Sequence, residues 1–283
     1  MSLPAAPPLR SPTSEDADMT GASVFDEDAS RKLEAAYLTP DVIGQRQETL
    51  RALALQPSER VLDIGAGPGL LVADMARLVG PSGHVTGLEI SDSMLALGHA
   101  RCAGPGIRKR VNFVKADAVA LPFTDAAFDV AVSTQVYEYI ADLKAAFAEL
   151  HRVLRVGGRA LILDTDWDSI VWNASNEQRM QRLLAAWMER FADPHLPRRL
   201  ARWLQDAGFQ VDRRQVLVLF NPEYDPNTFS VANGQIMADF AVDRQQMTRD
   251  EAEAWIDDLS HLGREGRYFF SLNRYLFLAT RTS

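Results

Sequence analysis

Between residues 60 and 164, short apolar runs alternate with longer segments whose apolar positions recur at helical spacing. The short runs predict strands, and the amphipathic segments predict helices. The predicted strands are Arg60–Ile64, His84–Glu89, Val111–Lys115, Phe128–Ser133 and Arg159–Leu163. The predicted helices are Leu70–Val79, Ser93–Ala103 and Leu143–Leu154. This alternation is typical of parallel βαβ units and predicts an open α/β sheet with helices on both faces.

The N-terminal part of the chain follows a different pattern. Residues 1–22 are rich in Pro, Ser, Ala and Asp and have no sustained apolar periodicity, which predicts a disordered arm. Residues 23–57 have helical periodicity on both sides of Pro40, and proline cannot continue a helix. We therefore expect two helices in this segment, which would form an N-terminal cap.

After residue 164 the regular alternation ends. The pattern predicts helices over Glu177–Phe191 and Leu196–Ala207, and strands over Gln215–Phe220 and Tyr268–Ala279. Residues 221–267 form a long insertion between these strands, with helices expected around Val231–Val242 and Arg249–Leu262. Connections of this length are commonly lids or binding elements. The expected organisation is a cofactor-binding core over residues 58–220, a substrate cap over residues 221–267 and a final core strand within residues 268–283.

The charge balance argues against nucleic acid as a partner. The 283 residues include 30 Lys and Arg and 38 Asp and Glu, which gives a formal net charge of −8. Such a chain has no general attraction for phosphate backbones or anionic lipid surfaces. Its apolar runs fall short of the roughly 20 residues of a membrane span, and its N-terminus lacks the apolar core of a signal peptide. We expect a cytoplasmic protein with a small-molecule partner and no membrane insertion, and the sequence leaves its oligomeric state open.

Cysteine usage narrows the chemistry further. Cys102 is the only cysteine, which excludes an intramolecular disulfide and a multi-cysteine zinc site.

The most informative segment is Val61–Gly69, with the sequence VLDIGAGPG. It predicts an apolar strand, a glycine turn and a helix start, where the backbone can approach a ligand closely and free N–H groups are available. A dinucleotide-binding turn has the spacing G-x-G-x-x-G, whereas here the glycines are Gly65, Gly67 and Gly69. The carboxylate of Asp63 at the strand end suits a cation or an amine and would repel a pyrophosphate. A tight turn without a ligand is the structural alternative.

Two further acidic residues lie at the ends of the next two strands. Glu89 ends the second strand, where a carboxylate can accept hydrogen bonds from both ribose hydroxyls. Asp117 follows the third strand and can accept from the exocyclic amine of an adenine, although it can also cap a helix. Because the carboxyl ends of parallel strands share one edge, these residues and the glycine turn predict a cleft shaped for a nucleoside.

Three segments in this order resemble a known family. They are VLDIGAGPG, LPFTDAAFDVAVS (Leu121–Ser133) and ELHRVLRVGGRALI (Glu149–Ile162). They resemble the class I S-adenosylmethionine-dependent methyltransferases, and in particular the small-molecule branch that includes the quinone C-methyltransferases. The resemblance implies a three-layer, doubly wound, Rossmann-like sheet of seven mostly parallel strands with an antiparallel last strand. It also implies S-adenosyl-L-methionine as cofactor, S-adenosyl-L-homocysteine as product and methyl transfer to a small organic acceptor.

The resemblance also implies roles for individual residues. Asp63, Gly65 and Gly67 would lie along the methionine part of the cofactor, and Arg46 or Tyr37 would close over its end. Glu89 would hold the ribose. The residues around the adenine would be Ile90, Met94, Asp117 and Ala118. Thr134 and Gln135 would face the cofactor and the substrate entrance.

The acceptor side carries weaker signals. The catalytic candidates are His195, Asp166 and Tyr137. Asp164, Asp166 and Asp168 would share a face if extended, which raises the idea of a metal site, but a polar loop with one capping Asp is the preferred interpretation. An acceptor pocket could include Asn221, Tyr224, Asn233, Phe269, Asn273 and Tyr275.

Two other functions stay open. A non-catalytic S-adenosylmethionine-binding module is compatible with the sequence, because in-line methyl transfer requires no diagnostic catalytic residue. A nicotinamide-dependent oxidoreductase is disfavoured by the glycine spacing and by Asp63.

Overall fold

The protein is described by a computed structural model over residues 27–283. The predicted disordered arm and residues 23–26 lie outside the described residues. The strands are β1 (Arg60–Ile64), β2 (His84–Glu89), β3 (Val111–Lys115), β4 (Phe128–Thr134), β5 (Leu154–Thr165), β6 (Val171–Trp172), β7 (Phe209–Asn221) and β8 (Phe270–Arg281). The helices are α1 (Glu27–Tyr37), α2 (Pro40–Leu53), α3 (Leu70–Leu78), α4 (Asp92–Arg101), α5 (Leu143–Val153), α6 (Glu177–Met188), α7 (Pro197–Asp206), α8 (Phe229–Ala241) and α9 (Arg249–Arg264).

The strands form one mixed sheet. Five parallel strands stand in the order β3-β2-β1-β4-β5, and β8 follows beyond β5. β8 is antiparallel both to β5 and to β7, which pairs with its other side. The short β6 pairs with Phe270 and Ser271 at the start of β8 and makes the sheet eight-stranded. The predicted class I methyltransferase fold is confirmed, and only β6 was too short to leave a periodic signal.

Two strands are longer than the sequence predicts. β5 begins at Leu154 rather than Arg159, and Gly157 has a φ of 72° within an irregularity in the pairing with β4. The glycines there form a bulge rather than the end of a helix. β7 begins at Phe209 rather than Gln215. The sequence did not predict its first half because the polar run over residues 212–215 interrupts the alternation of apolar and polar residues.

Helices cover both faces of the parallel strands. Leu62 and Ile64 of β1 face an apolar cluster with α5 and α7, whereas Val61 faces a second cluster with α2 and α3. Because both faces are buried, β1 appears in the sequence as an almost continuous apolar run. The three-layer arrangement follows from this double coverage.

A third apolar cluster joins the remaining helices. It contains Trp172, Trp187 and Trp255 and is built by α6, α8 and α9 against the ends of β7 and β8. The side chain of Asp41, in the first turn of α2, accepts from the backbone N–H of Phe229 (3.0 Å) and from Asn221 Nδ2 (3.0 Å). These bonds connect the N-terminal helices to the insertion over residues 221–267.

Pro40 is the first residue of α2, where its missing N–H costs nothing. Within residues 27–283, none of the helices combines the length and the apolar character needed to cross a bilayer.

Candidate functional site

A cavity of about 410 Å³ opens at the carboxyl ends of β1, β2, β3 and β4. Helices α1 and α2 contribute its opposite wall through Tyr37, Gln45 and Arg46, among others. All ten predicted cofactor residues line it: Asp63, Gly65, Gly67, Glu89, Ile90, Met94, Asp117, Ala118, Thr134 and Gln135. Its size is typical of a small-molecule site.

The glycine turn requires glycine for two different reasons. Gly65 has a φ of 73°, and a Cβ there would lie 2.2 Å from Cγ2 of Val136. Gly67 has a φ of 52°, but a Cβ there would meet nothing within 4 Å. Gly65 is therefore required by the packing of the protein, whereas Gly67 leaves open space in the wall of the cavity.

The carboxylate of Glu89 joins the glycine turn to the start of α4. Its Oε2 accepts from the backbone N–H of Gly67 (2.9 Å), and its Oε1 accepts from those of Ile90 (2.8 Å) and Ser91 (3.0 Å). Three backbone donors thus hold this acid in one orientation at the edge of the cavity. A fixed carboxylate in this position suits the two hydroxyls of a ribose.

Asp63 is 1% exposed, and its Oδ1 has no hydrogen-bond partner within the described residues. Burial, with a further contribution from the charge of Glu89, raises the pKa of Asp63 to about 8. A buried acid with a free oxygen is costly unless a donor or a cation reaches it. This acid therefore fits the ammonium group of an amino acid lying beside the glycine turn.

Asp117 and Gln135 complete the strand ends. Asp117 Oδ1 accepts from the backbone N–H of Val119 (3.1 Å), so this residue both lines the cavity and stabilises its own turn. Gln135 adopts a φ of 60°, and its Oε1 accepts from Thr165 Oγ1 (2.6 Å). A left-handed conformation outside glycine is strained and is common at binding sites.

None of the three catalytic candidates lines the cavity. Tyr137 is fully buried and packs on Phe147, with 4.8 Å between the ring centroids. Asp166 instead accepts from Arg198 Nε (2.7 Å) and lies 3.3 Å from Nδ1 of His195. Burial would raise the pKa of Asp166, but its bonds to Arg198 and His195 outweigh burial and hold the pKa below its usual range.

Asp164 lies within β5, near its end, and does not share a face with Asp166 and Asp168, which follow the strand. Asp166 and Asp168 approach His195, and Arg198 bonds both carboxylates. Asp164 is fully buried, and its Oδ1 accepts from the backbone N–H of Val136 (3.0 Å). The guanidinium already fills the position in which a metal ion would sit.

The predicted acceptor-pocket residues also lie away from the cavity lining. They are Asn221, Tyr224, Asn233, Phe269, Asn273 and Tyr275. Asn221 bonds Asp41, and Tyr224 packs on Tyr268. Asn221 thus joins Asp41 of α2 to Ser230 of α8, and Tyr224 lies against Gly263 of α9.

Sequence reasoning missed Arg274 and Gln45, both of which line the cavity. Arg274 is buried in β8, and Leu272 and Leu276 two residues to either side are also buried. A charged residue at an inward position of an alternating strand was the available signal.

Residues 62–162 match the family model described as a methyltransferase domain. The ubiquinone/menaquinone biosynthesis C-methyltransferase UbiE of Shewanella halifaxensis is 39% identical over 116 residues, which are 41% of this chain and 46% of that protein. A Streptomyces fradiae protein, described as an uncharacterized 37.1 kDa protein in transposon TN4556, is 29% identical over 236 residues, or 82% of this chain and 66% of that one. The chain thus spans about half the length of most curated relatives it matches.

Solved structures share the fold. A putative methyltransferase of Bacillus halodurans superimposes with a TM-score of 0.60 and 19% identity, covering 85% of this chain and 100% of that one. The geranyl diphosphate C-methyltransferase of Streptomyces coelicolor gives a TM-score of 0.53 and 19% identity, covering 85% and 79%. The match to the family model over residues 62–162 and the shared fold confirm the resemblance to the class I methyltransferases found in the sequence.

Proposed function

We propose that this protein is an S-adenosyl-L-methionine-dependent methyltransferase that acts on a small organic acceptor. The observation that carries the proposal is the cavity at the ends of β1 to β4, because it gathers Asp63, Gly67, Glu89 and Asp117 from three successive strand ends. The curated relatives include C-methyltransferases, which supports the same reaction class.

The residues of the cavity fit the parts of this cofactor. The free oxygen of Asp63 would accept from the ammonium group of the cofactor, and Gly67 leaves room for the methionine part of the cofactor. Glu89 would accept from the ribose hydroxyls, and Asp117 from the adenine amine. When bound, the cofactor supplies a sulfonium methyl group that is already activated for transfer.

The protein would then hold the acceptor in position and exclude water from the reaction. Thr134 ends β4, Gln135 follows it, and both line the cavity next to the strand that leads into the glycine turn. Tyr37 from α1 and Gln45 from α2 cover the cavity from the opposite side. Holding an acceptor atom in line with the S–CH₃ bond in such an enclosed space accounts for much of the rate enhancement expected of this reaction.

The proposal is tested with isotope-labelled S-adenosyl-L-methionine and a panel of small organic acids, phenols and quinones. Product carrying one labelled methyl group, together with an equal amount of S-adenosyl-L-homocysteine, is the expected result. Tight cofactor binding without transfer to any member of a broad panel would favour the non-catalytic module.

We further infer a cytoplasmic location and no nucleic-acid partner. The net charge of −8 supports this inference, because an acidic chain has no general attraction for phosphate backbones. Localisation by fractionation and a nucleic-acid binding assay test it.

A further inference from the structure

A buried arginine lines the cavity at the end far from the glycine turn. Arg274 is 2% exposed and lies opposite Thr165 of β5 and Leu217 of β7. Two strands, β4 and β5, separate β8 from β1, and each step across the sheet is about 4.8 Å. The guanidinium therefore belongs to the acceptor end rather than to the end that holds the methionine portion of the cofactor.

The surrounding residues orient this guanidinium without neutralising it. Its Nη1 donates to Gln45 Oε1 (2.8 Å), and its central carbon lies 4.7 Å from the ring centroid of Phe229. Its Nε has no hydrogen-bond partner within the described residues. No carboxylate between residues 27 and 283 forms an ion pair with it.

The other arginine of the cavity differs in this respect. Arg46 donates through Nε to Asp74 Oδ2 (3.1 Å) and through Nη1 to the carbonyl of Tyr37 (3.2 Å). Two acids near Arg274, Glu138 and Asp164, are deeply buried, and burial raises the pKa of each. The charges of Glu138 and Asp41 act on Arg274 from a distance, but neither acid, nor Asp164, forms a hydrogen bond or an ion pair with it among residues 27–283. Of the two cavity arginines, Arg274 is therefore the one without an ion pair.

An unpaired buried charge is costly, and this cost is offset when an oppositely charged ligand arrives. We propose that Arg274 binds an anionic oxygen group of the methyl acceptor, either a carboxylate or a phosphate. The planar guanidinium presents paired donors that match two oxygens of such a group. Val42, Tyr37 and Tyr139 line the same cavity and provide apolar walls for the organic part of the acceptor.

This inference specifies the substrate class within the proposed function and rests on it, but the two are tested separately. Binding of S-adenosyl-L-homocysteine, measured first by calorimetry, tests the cofactor site. The protein saturated with S-adenosyl-L-homocysteine is then titrated with benzoate, with benzamide and with inorganic phosphate. Benzoate and benzamide have almost the same size and shape and differ in charge, and phosphate distinguishes the two kinds of anion.

We expect the wild-type protein to bind benzoate or phosphate at least about tenfold more tightly than benzamide, as charged hydrogen bonds require. In Arg274→Met this preference should fall to about twofold or less, while affinity for S-adenosyl-L-homocysteine stays unchanged. Arg244→Met is the matched control, because the central carbon of Arg244 lies 4.0 Å from the ring centroid of Phe240, in the same apolar cluster as Phe229, and Arg244 does not line the cavity. The control should keep the preference for the anion.

Thermal melting establishes that each variant is folded. If Arg274→Met does not fold, Arg274→Lys is used instead. It retains the charge but lacks the paired donors of the guanidinium, and we expect it to bind benzoate several-fold more weakly than the wild type. Three results would overturn the inference: no anion preference in the wild-type protein, an equal preference in folded Arg274→Met (or, if the Lys variant is used, benzoate affinity equal to that of the wild type), or loss of S-adenosyl-L-homocysteine binding in the variant. The third result would assign Arg274 to the cofactor.

Discussion

The cofactor end of the cavity and its acceptor end satisfy their polar groups in different ways. At the cofactor end, the Glu89 carboxylate accepts from three backbone N–H groups, two of which belong to the next two residues of the chain. At the proposed acceptor end, Arg274 bonds Gln45, which lies 229 positions away in the sequence, and its Nε has no hydrogen-bond partner among residues 27–283. The proposed cofactor end is thus arranged by local backbone geometry, whereas the proposed acceptor end depends on the tertiary structure and would be completed by a ligand. A site of the first kind can be inherited by a whole family, and a site of the second kind can differ between its members.

The largest effect is expected at the glycine turn, where two similar substitutions should fail differently. Gly65→Ala places a methyl group against Val136 in a left-handed conformation. The conformational cost and the overpacking together should lower the free energy of unfolding by about 2–5 kcal/mol. Denaturant titration measures this loss.

Gly67→Ala is the matched control, because its methyl group meets open space. It should cost only the conformational penalty of about 1–2 kcal/mol, while weakening cofactor binding because the methyl group enters the cavity. Equal losses of stability in the two variants would contradict the claim that Gly65 is required for packing and Gly67 is not.

Glu89→Ala should affect binding next most strongly. Removing this acid deletes acceptors for the ribose and releases the N–H of Gly67, so affinity for S-adenosyl-L-homocysteine should fall by about 1–3 kcal/mol. Calorimetric titration measures the change. Asp92→Ala is the control, because Asp92 lies three residues further on with its side chain 80% exposed. An unchanged affinity in Glu89→Ala would remove the ribose assignment.

Asp63 should make stability depend on pH. Burial raises its folded-state pKa to about 8, above the value of about 3.9 in an unfolded chain, so the folded state binds this proton more tightly. Its contribution to the free energy of unfolding is therefore complete below about pH 4 and is lost as the pH rises to about 8.

Asp63→Asn should consequently flatten the decline in Tm between pH 5 and pH 8. Part of the decline should persist, since burial also raises the pKa of Glu138. Parallel curves for the wild-type and variant proteins would show that Asp63 is ionised throughout this range.

The smallest effect is expected for His195→Gln. His195 lies beside Asp166 and Arg198, outside the cavity lining, so turnover should stay within about twofold of wild type. A loss of turnover of two orders of magnitude or more, with cofactor binding intact, would instead support its prediction as a catalytic base.

The contrast between the two ends explains what the sequence could predict. Short segments of the sequence encode the strand ends, the glycine turn and the acids that end β2 and follow β3. All of the predicted cofactor residues therefore line one cavity. At the other end, Arg274 leaves a local signal in β8, but its contact with Gln45 of α2 joins residues far apart in the sequence, so no local pattern predicts the pair. Asn221 and Tyr224 were polar and aromatic enough to suggest a pocket, but the fold uses them to attach the cap helices.

Calorimetric titration of the wild-type protein with S-adenosyl-L-homocysteine, and separately with a nicotinamide dinucleotide, tests the central claim most directly. We predict micromolar binding of the first ligand with one site per chain, and no binding of the second. Binding of the dinucleotide alone would contradict the assignment of the glycine turn and of the methyltransferase activity with it.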